Sequence, residues 1–170
     1  MLHLVRPRQT VKSIYDIDWE QLKLEGIRGI IMDLDNTLVG AKVAFADAAL
    51  GEWVKMVRNR GFQVVVVSNN SEARVRTFSE PLRLPFVFRA RKPLGMAFSR
   101  AIRIMSLKPE EVAVVGDQLM TDVLGGNRVG LYTILVEPIA ASDEGWKTKL
   151  INRKLERVFI ARLRKKGWLP

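Results

Sequence analysis

Cysteine is absent from this chain of 170 residues, and histidine occurs once, as His3. Without thiolates there is neither a disulfide framework nor a cysteine-ligated metal centre, which suits a reducing compartment. A single histidine excludes a histidine-based catalytic triad and an imidazole zinc site, so His3 reads as an incidental residue of an amino-terminal arm. Long apolar runs are missing too. No window approaches the roughly 18 apolar residues of a membrane-spanning helix, and MLHLVRPRQTVK lacks the apolar core of a signal peptide. The expectation is a cytoplasmic protein, at most peripheral on the inner face of a membrane. With no low-complexity tract or internal repeat, residues 1–170 read as one domain, with a core at about 16–137 and a basic helical tail at about 146–170.

Acids are the scarcer charge: 18 Asp and Glu face 28 Lys and Arg, a formal net charge of +10. The excess is concentrated at the end of the chain, where Lys147 to Pro170 carries nine basic residues against Glu156 alone. A basic surface predicts an anionic partner, whether nucleic acid, anionic lipid or a phosphorylated substrate.

What the chain has in quantity is short apolar runs that break into polar residues. Ile27–Met32 ends in Asp33, Leu34, Asp35, Asn36 and Thr37; Phe62–Val67 ends in Ser68 and Asn69; Val112–Val115 ends in Gly116 and Asp117, with Asp122 close behind. Runs of this kind predict strands buried on both faces of a parallel sheet, with polar groups at their carboxyl ends, where open α/β sheets bind ligands. Between them lie helical patterns. Asp18 with Gln21 resembles a capping box for a helix through Leu24, stopped by Gly26. Phe45–Arg60 has Leu50, Trp53, Val54 and Val57 on one face, Ser71 opens a helix closed by Pro81, and Leu94–Met105 is a third. A short strand at Phe86–Phe88, a glycine-rich turn GGNRVG containing Gly125 and Gly126, and a last strand at Leu131–Val136 complete a β-α-β-α-β-α-β-α-β alternation. Residues 1–15 show no period and read as an arm or edge segment. The fold class is therefore α/β, a doubly wound three-layer parallel sheet. Pro138–Gly145 reads as a linker, and Trp146–Arg164 as a basic helix with Ile151, Leu155, Val158, Phe159 and Leu163 on one stripe that packs on the domain.

One acidic strand end is as readily a turn as a site. Several complementary ones on one sheet edge, with Lys92 entering a helix among them, suit phosphoryl transfer. A carboxylate nucleophile needs a cation beside it, and a phosphoryl group needs its oxygens neutralised by metal, ammonium and hydrogen-bond donors. Carboxylates from two strands form the oxygen-rich site that Mg²⁺ prefers.

DLDNTLV, VSNN, RKP and GDQLMTD, in that order, resemble the four motifs of the haloacid dehalogenase (HAD) superfamily of phosphatases. The run RPRQTVKSIYDIDWEQLKLEGIRGIIMDLDNTLV further resembles the YqeG-like branch of subfamily IIIA, whose relatives include phosphatidylglycerophosphate phosphatase. The resemblance implies a Mg²⁺-dependent phosphomonoesterase working through an aspartyl-phosphate. Asp33 would be the nucleophile and Asp35 the general acid and then base, protonated at first and so with a raised pKa in the substrate complex. Ser68 and the amides near Asn69 would hold the phosphate, and Lys92 would neutralise it. Asp33, Asp117 and the backbone carbonyl of Asp35 would bind Mg²⁺, with Asp122 orienting a ligand and Thr37 bracing the loop. The motifs leave no room for an inserted cap domain. An anionic lipid headgroup is the expected substrate, with peripheral membrane association through the basic tail. A soluble sugar phosphate, nucleotide or nucleic-acid end, or an RNA- or ribosome-associated role with secondary phosphatase activity, are the alternatives.

Overall fold

The run GIIM becomes β2, Gly29–Met32, and all four of its residues are buried. Such a strand must be covered on both sides, and pleating sends Ile30 and Met32 into one core and Ile31 into the other. The computed structural model describes residues 2–139 and 158–169. Around β2 it builds a six-stranded sheet in the order β1-β6-β5-β2-β3-β4, with every neighbouring pair parallel. The other strands are β1 (Gln9–Val11), β3 (Gln63–Val67), β4 (Phe86–Val87), β5 (Val112–Gly116) and β6 (Tyr132–Val136).

Helices cover both faces, as the alternation requires. On one side α1 (Trp19–Leu24), α2 (Ala48–Asn59) and α3 (Glu72–Ser79) bury Trp19, Leu22, Trp53, Val57, Val75 and Phe78 against Ile30, Met32, Val64 and Val66. On the other, α4 (Gly95–Met105) packs Phe98, Ala101 and Met105 on Ile31, Val65 and Val114. The chain crosses the carboxyl edge at β2, β3 and β5, which brings Asp33, Ser68 and Asp117 to one rim. No domain is inserted between these strands: residues 40–47 form a loop before α2, and residues 80–85 a turn before β4.

Residues 1–15, read as an arm or edge segment, contribute an edge strand, β1, which pairs with β6 in the register Gln9↔Ile134. Three expectations are corrected. The helix expected from Phe45 starts at Ala48, because the Asp47 side chain accepts from Leu50 N at 2.8 Å and caps it. The capping box at Asp18 is half made: Asp18 Oδ1 accepts from Gln21 N, but the Gln21 side chain donates to Glu25 instead. Finally, GGNRVG is not simply a turn. A single π-helical segment, Leu119–Val123, runs into α5 (Leu124–Arg128), so Gly125 and Gly126 are helical. They allow close packing: a Cβ on Gly125 would lie 2.4 Å from Phe98 Cε2, and one on Gly126 would lie 2.5 Å from Val114 Cγ1.

A third, smaller core joins the two ends of the described chain. Leu163, on a helix over residues 158–165 (α6), is fully buried with Val5, Leu119, Val123 and Leu124, and Phe159 packs alongside. This is the packing expected of the tail stripe at Leu163 and Phe159. Val158 is 48 % exposed, and Ile151 and Leu155 lie outside the described residues.

Candidate active site

Asp33 leaves the end of β2 with its amide donating to Val115 O, which ties it to β5. The following turn needs a left-handed residue, and Asn36 takes it at φ 66°, a conformation asparagine tolerates better than most side chains. Asn36 N then donates to Val39 O at 2.7 Å, closing the loop. That closure places Thr37 under the strand end, where its Oγ1 donates to Asp33 Oδ2 at 3.2 Å. Thr37 therefore braces the acid itself as well as the loop.

Lys92 reaches the site from the segment after β4. Its Nζ donates to Asp33 Oδ1 at 2.5 Å and to Asp122 Oδ1 at 2.6 Å, with all three side chains almost wholly buried. Asn69 fixes this lysine from behind, its Oδ1 accepting from Lys92 N at 2.7 Å. Ser68 is buried beside it and accepts from Asn70 N, so the β3 strand end is folded into a compact turn. Asp122 is held by Gln118 N and Thr121 Oγ1 on its other oxygen. Gly116 makes room for it, since a Cβ there would come within 2.3 Å of Asp122 Cγ. Within the GDQLMTD segment, the first glycine and the last aspartate thus occupy adjoining space.

Burial raises the Asp33 pKa to about 6; Lys92 opposes the rise, and the charge of Asp122 adds to it. For Lys92, burial opposes the charged form, but Asp122 and Asp33 outweigh it and shift the pKa upward. The ammonium is therefore the fixed charge of the trio. With Asp117 the site has three carboxylates around one lysine, and Asp33, Asp117 and Asp122 each offer an oxygen within 4.8 Å of the others. Excess buried negative charge of this kind calls for a cation, and an all-oxygen donor set fits a hard divalent ion rather than a thiolate- or imidazole-seeking one.

Asp35 stands apart from that cluster. Its Oδ1 accepts from Arg74 Nη2 at 3.0 Å and Nε at 3.3 Å, and its Oδ2 accepts from Asn70 Nδ2 at 3.2 Å. Arg74 also donates to Ala44 O, fastening the loop before α2 to the same group. Neither Arg74 nor Asn70 was singled out from the sequence. One signal was available for Arg74: a cation in the first turn of a helix opposes the helix dipole, so an arginine three residues after the Ser71 cap has another reason to be there.

Next to the loop is a cavity of about 450 Å³ lined by Thr37, Val39, Val43, Phe45, Tyr15 and Ile139. The last four are substantially exposed apolar side chains. Through Thr37, which bonds Asp33 and lines the cavity, the charged cluster adjoins a largely apolar recess.

The arrangement has counterparts. A family model described as mitochondrial PGP phosphatase matches residues 2–81, and one described as HAD-hydrolase-like matches residues 89–151. The chain is 52% identical to "Probable phosphatase YqeG" of Bacillus subtilis, over 95% of this chain and 92% of that one. It is 28% identical to phosphatidylglycerophosphate phosphatase 1, chloroplastic/mitochondrial, of Arabidopsis thaliana; that match covers 98% of this chain and spans only 50% of the relative. The fold is shared with the cobalt-bound deoxy-D-mannose-octulosonate 8-phosphate phosphatase of Haemophilus influenzae: TM-score 0.55, 20% identity, 85% of this chain and 92% of that one. The protein is a phosphoric monoester hydrolase, and the chain belongs to the HAD-like phosphatases, in the branch that holds YqeG.

Proposed function

We propose that this phosphatase removes the terminal phosphate of phosphatidylglycerophosphate, with Mg²⁺, through an aspartyl-phosphate on Asp33. The observation that carries the chemistry is the buried Lys92 ammonium shared by Asp33 and Asp122, with Asp35 two residues further along the loop that Asp33 opens. The substrate assignment is supported by the family match over residues 2–81, by the two phosphatidylglycerophosphate phosphatases at 26–28% identity, and by the apolar recess against the catalytic loop.

In this reading an Asp33 oxygen attacks phosphorus as the P–O bond to the glycerol oxygen breaks, and the departing oxygen takes the proton of Asp35. Asp35 then removes a proton from water, which attacks the aspartyl-phosphate, releases inorganic phosphate and restores the Asp33 carboxylate. Lys92, the Ser68 hydroxyl and the amides near Asn69 neutralise and hold the phosphoryl oxygens. Asp33, Asp117 and the Asp35 carbonyl would hold Mg²⁺, with Asp122 orienting the set; bound there, the ion would supply positive charge for the phosphoryl oxygens. Arg74 and Asn70 hold the Asp35 carboxyl group in place on the loop it shares with Asp33.

Purified protein with Mg²⁺ is expected to release phosphate from phosphatidylglycerophosphate in mixed micelles faster than from a panel of sugar phosphates and nucleotides. Asp33→Asn is expected to lower turnover by at least about 10³-fold, as for loss of a covalent nucleophile. Good hydrolysis of the soluble panel with the lipid untouched would remove the substrate, and wild-type rates in Asp33→Asn would remove the nucleophile.

A further inference from the structure

The segment that delivers Lys92 also lines a second feature, one that the phosphatase chemistry does not use. A depression of about 290 Å³ is lined by Arg89, Arg91 and Arg100 together with Phe88 and Met96. The three arginines are exposed, and among the described residues none of them makes an ion pair. Some exposed arginines elsewhere are partnered, as Arg28 with Glu111, Arg60 with Glu20, and Arg76 with Glu72 and Glu80, and others such as Arg58 and Arg103 stand singly; here three unpaired ones line one hollow. Arg89 and Arg91 also have left-handed backbones, at φ 45° and 52°, which arginine rarely adopts. Ala90 between them is buried, its amide donating to Ser68 O, so both guanidiniums stay on the outside of the loop that delivers Lys92.

Two protruding apolar side chains accompany this cationic hollow, Met96 in its lining and Leu94 just before α4. Met96 is 70 % exposed and Leu94 49 % exposed, on the first residues of and before α4. Unpaired guanidiniums beside protruding aliphatic side chains match the chemistry of a lipid headgroup layer, where anionic phosphates lie above acyl chains. A nucleic acid would satisfy the charge and would leave Leu94 and Met96 without a role.

We infer that Arg89, Arg91 and Arg100, with Leu94 and Met96, form a docking surface for an anionic bilayer, placed to present a lipid-borne phosphate to Lys92 and Asp33. For its purpose the inference rests on the lipid substrate proposed above, but vesicle binding is measured without turnover. None of these five residues belongs to the basic segment after residue 146.

The test is sedimentation of the full chain, in EDTA, with vesicles of equal parts phosphatidylserine and phosphatidylcholine, and with phosphatidylcholine alone. Wild type is expected on the anionic vesicles only, with affinity falling as salt rises. Arg89→Asn/Arg91→Asn/Arg100→Gln is expected to bind roughly 100-fold more weakly, taking each basic residue at about fivefold; asparagine suits the left-handed positions, and an unchanged melting temperature shows that the fold is kept. Leu94→Ser/Met96→Gln keeps all charges and is expected to weaken binding severalfold. A triple variant that binds within twofold of wild type overturns the inference. So does RNA binding that exceeds vesicle binding and needs the same three arginines. Docking through these residues without hydrolysis of phosphatidylglycerophosphate in micelles would leave the surface standing and remove the substrate; hydrolysis with unchanged docking in the variant would do the reverse.

Discussion

Asp33 is the residue whose surroundings conflict most. Burial raises its pKa to about 6, above the ordinary carboxylate range, while Lys92 works against that rise. A folded-state pKa above the unfolded one means that this group adds stability below about pH 4, and that the contribution is lost as pH rises through about 6. In EDTA the melting temperature is therefore expected to carry a decreasing component between those values, one that Asp33→Asn removes. A divalent ion binding the carboxylate must displace the proton, so apparent Mg²⁺ affinity should fall about tenfold per pH unit below about 6. Calorimetric titration of Mg²⁺ at pH 5 and pH 7.5 measures this, and equal affinities would contradict it. Arg74 makes a different demand: its planar fork reaches Asp35 and Ala44 O at once, which a lysine ammonium cannot reproduce. Arg74→Lys is expected to lower kcat about tenfold with little change in KM, less than the 10²–10⁴-fold typical of losing a general acid outright. Steady-state kinetics on a soluble phosphate ester separates the two parameters.

At the scale of elements, the strands that end at the candidate site were legible, because an apolar run that breaks into Asp33, Ser68 or Asp117 declares both its burial and its polar end. Lys92 was legible through its place in the chain, between the second and third of these strand ends. What stayed hidden depends on contacts with no local period. The three residues of β1 follow Pro7 and gain their strand character from β6. Arg74 sits in an ordinary helical first turn, and only the folded chain shows that it reaches back to Asp35. The pair Gly125–Gly126 carries the composition of a turn, yet the space they leave is needed by Phe98 and Val114 in the packing of α5. Gly125→Ala consequently tests packing against propensity. Alanine favours the helix by up to about 1 kcal/mol, whereas its methyl group would sit 2.4 Å from the Phe98 ring. Overpacking of that kind typically costs 1–3 kcal/mol, so the variant is expected to be less stable in urea than wild type despite its better helix former.

For the whole molecule, the decisive joint is the third core, where residues far apart in the chain meet. Leu163 on α6 is fully buried against Val5 and Leu124, and Trp168 lies under the Arg6 guanidinium at 4.6 Å from the ring centroid. The partners of α6 are not remote from the chemistry: Leu119 and Val123 belong to the π-helical segment that also carries Asp122. Loosening α6 therefore threatens both global stability and the placement of one carboxylate. Leu163→Ala removes a fully buried leucine and is expected to cost about 2–5 kcal/mol, read as a lower urea midpoint at constant slope. Val158→Ala, one half-exposed residue on the same helix, should stay within about 0.5 kcal/mol. Because Leu163 packs on Leu119 and Val123, which flank Asp122, Leu163→Ala is also expected to weaken divalent-ion binding, titrated with Mg²⁺, under conditions where the protein is still folded. An unchanged Mg²⁺ titration in that variant would show that α6 closes the fold without positioning the site.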